Sequence, residues 1–123
     1  MGFTDVYFCP LFVNDLANLI INMIRKDLNG LYHVVSSECI SKYDFGVRLA
    51  RMFALDPTLI TPNSVTKAGL VAARSPKLTL KSDKLAKALG ETIPDLTHGL
   101  SRFHTQYTNG YREIIFGMKA ESQ

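Results

Sequence analysis

VYFCPLFVNDLANLIINMIRKDLNGLYHVV, residues 6–35, is the stretch whose reading decides the fold. Val6-Tyr7-Phe8-Cys9 is β-prone and stops at Pro10, which has no amide hydrogen to donate to a ladder. A helix follows, with Asn14 or Asp15 placed to cap it and Leu16, Leu19, Ile20, Met23 and Ile24 recurring three and four apart. Arg25 and Lys26 suit the negative end of that helix, and Asn29-Gly30 closes it. Leu31-Tyr32-His33-Val34-Val35 then reads as a buried strand. Strand, helix and strand in one short run predict an α/β domain.

Working outward, Ser41 with Asp44 three positions on makes a capping-box-like start. The helix it opens carries Phe45, Leu49, Met52 and Phe53 on one face and exits at Asp56-Pro57. Residues 59–71 read as a loop with one short strand near Ser64-Val65-Thr66, and Lys77-Leu78-Thr79-Leu80 as another extended piece. Ser82 caps a third helix that Gly90 closes. Pro94 and Asp95 open a last helix, with Leu96, Leu100, Phe103 and Tyr107 on one side and Asn109-Gly110 at its end. The tail, 111–123, carries an apolar patch, Ile114-Ile115-Phe116, with no assigned place. The order predicts three or four helices against a small mixed sheet. That is a two-layer α/β domain over residues 1–110, not the repeated βαβ of a nucleotide-binding half.

Composition agrees with a folded domain. The chain has 123 residues, 46% of them hydrophobic and 20% charged, enough for one core. No apolar run approaches the roughly 18 residues of a membrane span, since Asn18 and Asn22 break the longest candidate. The N-terminus has no basic region before an apolar core, so no signal peptide is expected. Cys9 and Cys39 lie far apart in no motif, and are expected to be reduced thiols of a cytoplasmic protein. A zinc site would need more ligands at closer spacing.

The net charge of +3 is unevenly placed. Residues 67–87 hold Lys67, Arg74, Lys77, Lys81, Lys84 and Lys87 against one acid, Asp83. Two readings stand: a solvated surface, or a surface that meets phosphate. Nucleic acid is not expected, because no aromatic residue interleaves the basic ones. The segment Ala72-Ala73-Arg74-Ser75-Pro76-Lys77-Leu78 is the best recognition candidate. It joins a guanidinium able to grip phosphate oxygens bidentately to a stiff pre-proline backbone, with a second cation at Lys77.

Several chemistries lack their residues. The glycines are widely spaced, with no G-x-G-x-x-G and no phosphate loop, so no dinucleotide site of this chain's own is expected. No tyrosine is followed four positions later by lysine, the pairing that lowers a phenol pKa for proton transfer; Tyr43, for example, is followed by Val47. His33 reads as a core histidine. His98 and His104, six apart on one helix, fall on different faces and make no metal pair. No nucleophile elbow is present.

Five segments, in order, resemble the C-terminal substrate-binding part of extended short-chain dehydrogenases/reductases acting on nucleotide sugars, the dTDP-4-dehydrorhamnose reductases in particular. Residues 10–17 resemble that family's proline, spacer and Asp-Leu-Ala element, and Gly30-Leu31-Tyr32-His33-Val34 its Gly-x-Tyr-His strand. Tyr43-Asp44-Phe45 is similar to its aromatic-acid-aromatic helix core. Arg74-Ser75-Pro76 with Leu78 and Leu80 resembles its Arg-Pro loop, with Ser75 inserted. Pro94-Asp95 with Gly99-Leu100 resembles its last helix.

The resemblance implies a substrate domain of an NAD(P)-dependent sugar-nucleotide reductase or epimerase, without the Rossmann half. Arg74 and Lys77 would face the nucleotide sugar, and Pro10 the cleft between domains. NAD(P)H and the catalytic residues would belong to the missing N-terminal domain, so neither cofactor binding nor turnover is expected of this chain alone. The alternative is a non-enzymatic interaction or regulatory module that uses the reductase-like surface to bind a partner protein or a second copy.

Overall fold

The strand at Tyr7–Phe8, β2, organises the molecule because both its edges are occupied. In the computed structural model, which describes residues 1–69, 72 and 75–120 (118–120 as backbone only), β2 pairs antiparallel with β3, Ile40–Ser41, and parallel with β5, Lys77–Leu78. A second small sheet pairs β1, Gly2–Phe3, in parallel with β4, Pro62–Asn63. Five helices accompany these strands among the described residues: α1 Val13–Arg25, α2 Lys42–Met52, α3 Asp83–Leu89, α4 Leu96–Thr108 and α5 Tyr111–Ala120. The fold is mixed α/β, as the sequence predicts.

One correction concerns the expected strand at residues 31–35. Residues 31–36 form no strand among the described residues; β2, with β3 on one edge and β5 on the other, offers them no partner. The run still alternates: Tyr32 and Val34 pack on the core, while Leu31 and His33 are exposed. His33 is therefore a surface residue, not a core histidine. The Lys84 ammonium holds this run, donating to the Leu31 carbonyl at 2.7 Å and lying 4.4 Å from the centre of the Tyr32 ring. A further correction concerns the short strand near Ser64-Val65-Thr66. Residues 65–67 form a 3-10 turn, and the strand lies just before it at β4.

Helix ends follow local chemistry where a cap is present. Ser41 Oγ accepts the Asp44 amide at 3.0 Å and donates to the Asp44 carboxylate at 2.6 Å, starting α2. Asp95 accepts the His98 amide at 2.7 Å, starting α4. Gly90 ends α3 in the left-handed conformation, φ 67°. Helix α1 departs from expectation at both ends. Phe12 is its N-cap, with no side-chain hydrogen bond, because Asp15 is buried elsewhere. It ends four residues before Asn29. Asp27 takes the left-handed position with φ 49°, Asp27 N donates to Ile24 O, and Leu28 N donates to Met23 O. Met23 and Leu28 then both pack on the core, the apolar contact that accompanies this kind of helix end.

Two apolar clusters form the core. Leu19, Leu85, Leu89 and Ile93 join α1 to α3, with Leu11, Met23 and Val34 against them. Ile40, Leu96 and Leu100 join β3 to α4, with Phe8, Phe45, Leu49 and Met52 packed on them. Gly99 allows α4 to approach the start of α1, since a Cβ there would sit 3.3 Å from Phe12 Cβ. In the tail, Ile114, Ile115 and Phe116 lie on α5, which packs on α4, and all three side chains remain exposed.

A carboxylate ties the chain's beginning to the 3-10 turn. Asp5 accepts Ser64 Oγ at 2.5 Å and the Val65 amide at 2.9 Å. The Ser64 hydroxyl first, and the Val65 amide second, hold its pKa below the ordinary 3.8. The unfolded chain therefore takes up this proton at higher pH than the folded one. The stabilisation is complete above about 3.8 and is lost as pH falls through the lower folded value. The side-chain carbon shift of Asp5, followed by NMR, is expected to titrate below 3.8, and Asp5→Asn to remove that part of the acid dependence. A midpoint at or above 3.8 would contradict the tether.

Candidate functional site

Strand β5 carries Lys77 and is seated on β2 by its register, Tyr7 opposite Lys77 and Phe8 opposite Leu78. The seat begins one residue earlier, where Tyr7 N donates to the Pro76 carbonyl at 2.9 Å. Ser75 Oγ donates to the Lys77 carbonyl at 3.2 Å and closes the turn into the strand. Pro76 and Lys77 are exposed, so the Lys77 ammonium is open to solvent. Arg74, the other cation singled out in the sequence, lies outside the described residues.

Beyond β5 the chain lines a polar hollow of about 500 Å³. Ser36, Ser37 and Cys39 form one wall; Thr79, Leu80, Lys81, Ser82 and Asp83 form the other. Ser36 and Ser82 are buried, and Ser36 Oγ donates to the Pro94 carbonyl at 3.2 Å while accepting the Glu38 amide at 3.2 Å. These bonds fix the serine wall. Together the hollow and the Lys77 strand present hydroxyls and ammonium groups on one run of chain, a surface suited to a polar anionic ligand.

Pro10 stands apart from this surface. It lines a separate apolar hollow of about 180 Å³ with Leu11, Phe12, Phe45, Leu100 and Phe103. Pro10 follows Tyr7, the partner of Lys77, by three residues, a reach of at most about 10 Å along the chain. The strand pair thus has a cationic end at Lys77 and an apolar end at Pro10. A third hollow, an apolar groove of about 350 Å³, runs between the start of α1 and helices α4 and α5, with Phe12, Val13, Tyr107, Tyr111, Ile115 and Phe116 along it.

Three features escaped the sequence reading. The first is Asp15, expected as a cap and found 2% exposed, ion-paired to Arg102 of α4. Its Oδ2 has no hydrogen-bond partner. The signal available was the Asp-Leu-Ala element itself, but nothing in it names Arg102, 87 residues away. The second is the aromatic cluster around Phe53, whose ring centre lies 5.2 Å from Phe103, 5.1 Å from His104 and 5.3 Å from Tyr107. His104 is a packing residue there, while His98 is exposed beside Arg102, so the histidines are dispersed. Among the described residues no group of three or more His, Cys, Asp or Glu side chains could hold a metal.

The third feature corrects the reading of the cysteines. Cys9 and Cys39 are not free thiols; they are joined as a disulfide. The register of β2 on β3, Tyr7 with Ser41 and Phe8 with Ile40, puts residue 9 opposite residue 39 in the next step. That pairing depends on strands 30 residues apart and cannot be read from spacing.

Two strand-to-helix junctions are closed to a phosphate by their local chemistry. Between β2 and α1 the chain runs Cys9-Pro10-Leu11-Phe12, with a proline that lacks an amide hydrogen and a bulky N-cap. Between β3 and α2 the Ser41 side chain already takes the Asp44 amide. Among the described residues, no helix is long and apolar enough to cross a membrane.

The site thus sits on a mixed α/β lobe with a cationic run of chain at Lys77 and Lys81. Residues 3–109 match the RmlD substrate binding domain, and the chain belongs to that family. It is 23% identical over 107 residues to a probable low-salt glycan biosynthesis reductase, Agl14, of Haloferax volcanii, covering 87% of this chain and 36% of that protein. It also superposes on the crystal structure of dTDP-4-dehydrorhamnose reductase from Bacillus anthracis in complex with NADP, with TM-score 0.72 and 25% identity. That superposition covers 85% of this chain and 37% of the reductase. The chain spans little more than a third of the length of these relatives. Helix α5 lies beyond the family match.

Proposed function

We propose that this chain is the nucleotide-sugar-binding part of a dTDP-4-dehydrorhamnose reductase-like, NAD(P)-dependent sugar-nucleotide reductase or epimerase, and that it is catalytically incomplete alone. One observation carries the reading: family membership over residues 3–109 of a chain that spans 36–37% of its reductase relatives. The nucleoside diphosphate would lie along residues 74–78, where Lys77 and Arg74 supply cations to its phosphate oxygens. The serine-walled hollow would take hydroxyl-rich parts of the ligand, and Pro10 would border the cleft toward a second domain.

The reaction of such an enzyme is hydride transfer to a keto-sugar. The hydride donor and the tyrosine–lysine pair belong, in this reading, to a Rossmann domain supplied outside this chain. The residues here bind and orient; no proton-transfer pair is among them.

The test is an amide NMR titration with dTDP-rhamnose, UDP-glucose and NADPH in separate experiments. Saturable shifts around residues 75–82 with a nucleotide sugar, and none with NADPH, are the expected result. Lys77→Ala should weaken that binding roughly two- to fivefold, the scale of one solvent-exposed ion pair. No shifts with any ligand would overturn autonomous substrate recognition. The apolar groove along α4 and α5 favours a second reading, an interaction module, which concentration-dependent self-association in sedimentation experiments would support.

A further inference from the structure

Two sulfur atoms and one carbonyl oxygen meet at the end of the three-stranded sheet. The Leu80 carbonyl oxygen lies 3.5 Å from Cys9 Sγ and 4.0 Å from Cys39 Sγ. We infer that Cys9 and Cys39 form a thiol–disulfide switch that exchanges a tether between β2 and β3 for a tether on residues 79–82, the wall of the polar hollow. In the disulfide, β2 and β3 are joined covalently, and neither sulfur has a proton to give Leu80. In the dithiol, each Sγ carries an S–H donor, and an acceptor already stands within reach of both. Reduction breaks the bond across the strands and ties the hollow's wall to them; oxidation does the reverse.

Access and leverage both suit the device. Cys9 is buried at 7% exposure, whereas Cys39 is exposed and lines the hollow. A small thiolate such as that of glutathione can therefore attack Cys39 Sγ, releasing Cys9 as a thiolate that takes a proton from water. A second thiol then frees Cys39, so two small thiols become one disulfide as the protein gains two S–H groups. The reverse direction uses the oxidised small disulfide as the two-electron acceptor. The segment acted upon is lightly held. Thr79, Leu80 and Lys81 are exposed, and Ser82 gives α3 no side-chain cap, so even a weak S–H···O contact changes its freedom.

The experiment compares the whole chain after equilibration with dithiothreitol and with oxidised glutathione. Alkylation and intact mass count free thiols, and hydrogen exchange reports the amides of residues 79–82. The oxidised protein should take up no alkyl group and exchange at 79–82 roughly two- to fivefold faster than the reduced one, the scale of one weak hydrogen bond. The Cys9→Ser/Cys39→Ser variant should show no response to redox conditions. Two free thiols after oxidation, or equal or slower exchange at 79–82 in the oxidised protein, would overturn the switch. The wild-type comparison alone decides the matter if the variant fails to fold.

Discussion

Leu85→Ala is expected to lower the unfolding free energy by about 3–5 kcal/mol. Leu85 is 0% exposed and packs with Leu19, Leu89 and Ile93 at the junction of α1 and α3. Helix α3 has only seven residues, too short to be stable by propensity, so its place depends on this burial. Truncation removes the transfer free energy of the lost methyl groups and leaves a cavity whose walls belong to different elements. Urea unfolding followed by circular dichroism measures the loss, with an unchanged denaturant slope showing that only the native state was altered. A loss under about 1 kcal/mol would mean that the site collapses freely and that the α1–α3 cluster is not the core described here. The wall of the polar hollow leads directly into α3, so the same variant should weaken the proposed nucleotide-sugar binding.

The second large effect belongs to the Asp15–Arg102 ion pair. Arg102→Ala should destabilise the fold by about 2–4 kcal/mol. Removing the guanidinium leaves a carboxylate whose side chain is 1% exposed without its countercharge, while Oδ2 already has no hydrogen-bond partner. The loss stays below that of a fully buried pair because the Arg102 side chain is 35% exposed and water screens it. Asp15→Ala leaves Arg102 able to turn toward solvent, so it should be the milder change. The double variant should recover part of the loss, because both charges are then gone. Thermal or urea unfolding of the three variants gives the coupling directly. Strictly additive losses would show that Asp15 and Arg102 act independently and that packing alone joins α1 to α4.

Much of this structure was legible from local signals. Ser41 with Asp44, Asp95 with His98 and the left-handed Gly90 announce helix ends within a few residues of themselves. The Lys77 strand is likewise local, an extended piece that follows a proline whose ring fixes its own φ. Of the candidate site, Lys77 and Pro10 were marked in advance, but their placement at opposite ends of one strand pair was not. The periodicity of α1 named the residues able to form an apolar face without telling which part would be covered. Leu19 and Met23 enter the core, while Ile20 and Ile24 remain exposed.

By itself, then, the sequence determined the capped ends of α2, α3 and α4, the extended pieces at Tyr7–Phe8 and Lys77–Leu78, and that the residues needed for a dinucleotide cradle or a tyrosine–lysine pair are missing. These properties depend on neighbours three or four positions away, or on residue identity alone. The tertiary structure alone decided the rest: residues 31–35 packed on the core without joining a ladder, Asp15 drawn from capping to an ion pair with Arg102, and Cys9 set opposite Cys39. Each of those outcomes is a competition among partners distant in the chain, and only the packed arrangement of β2, α1 and α4 settles which partner wins.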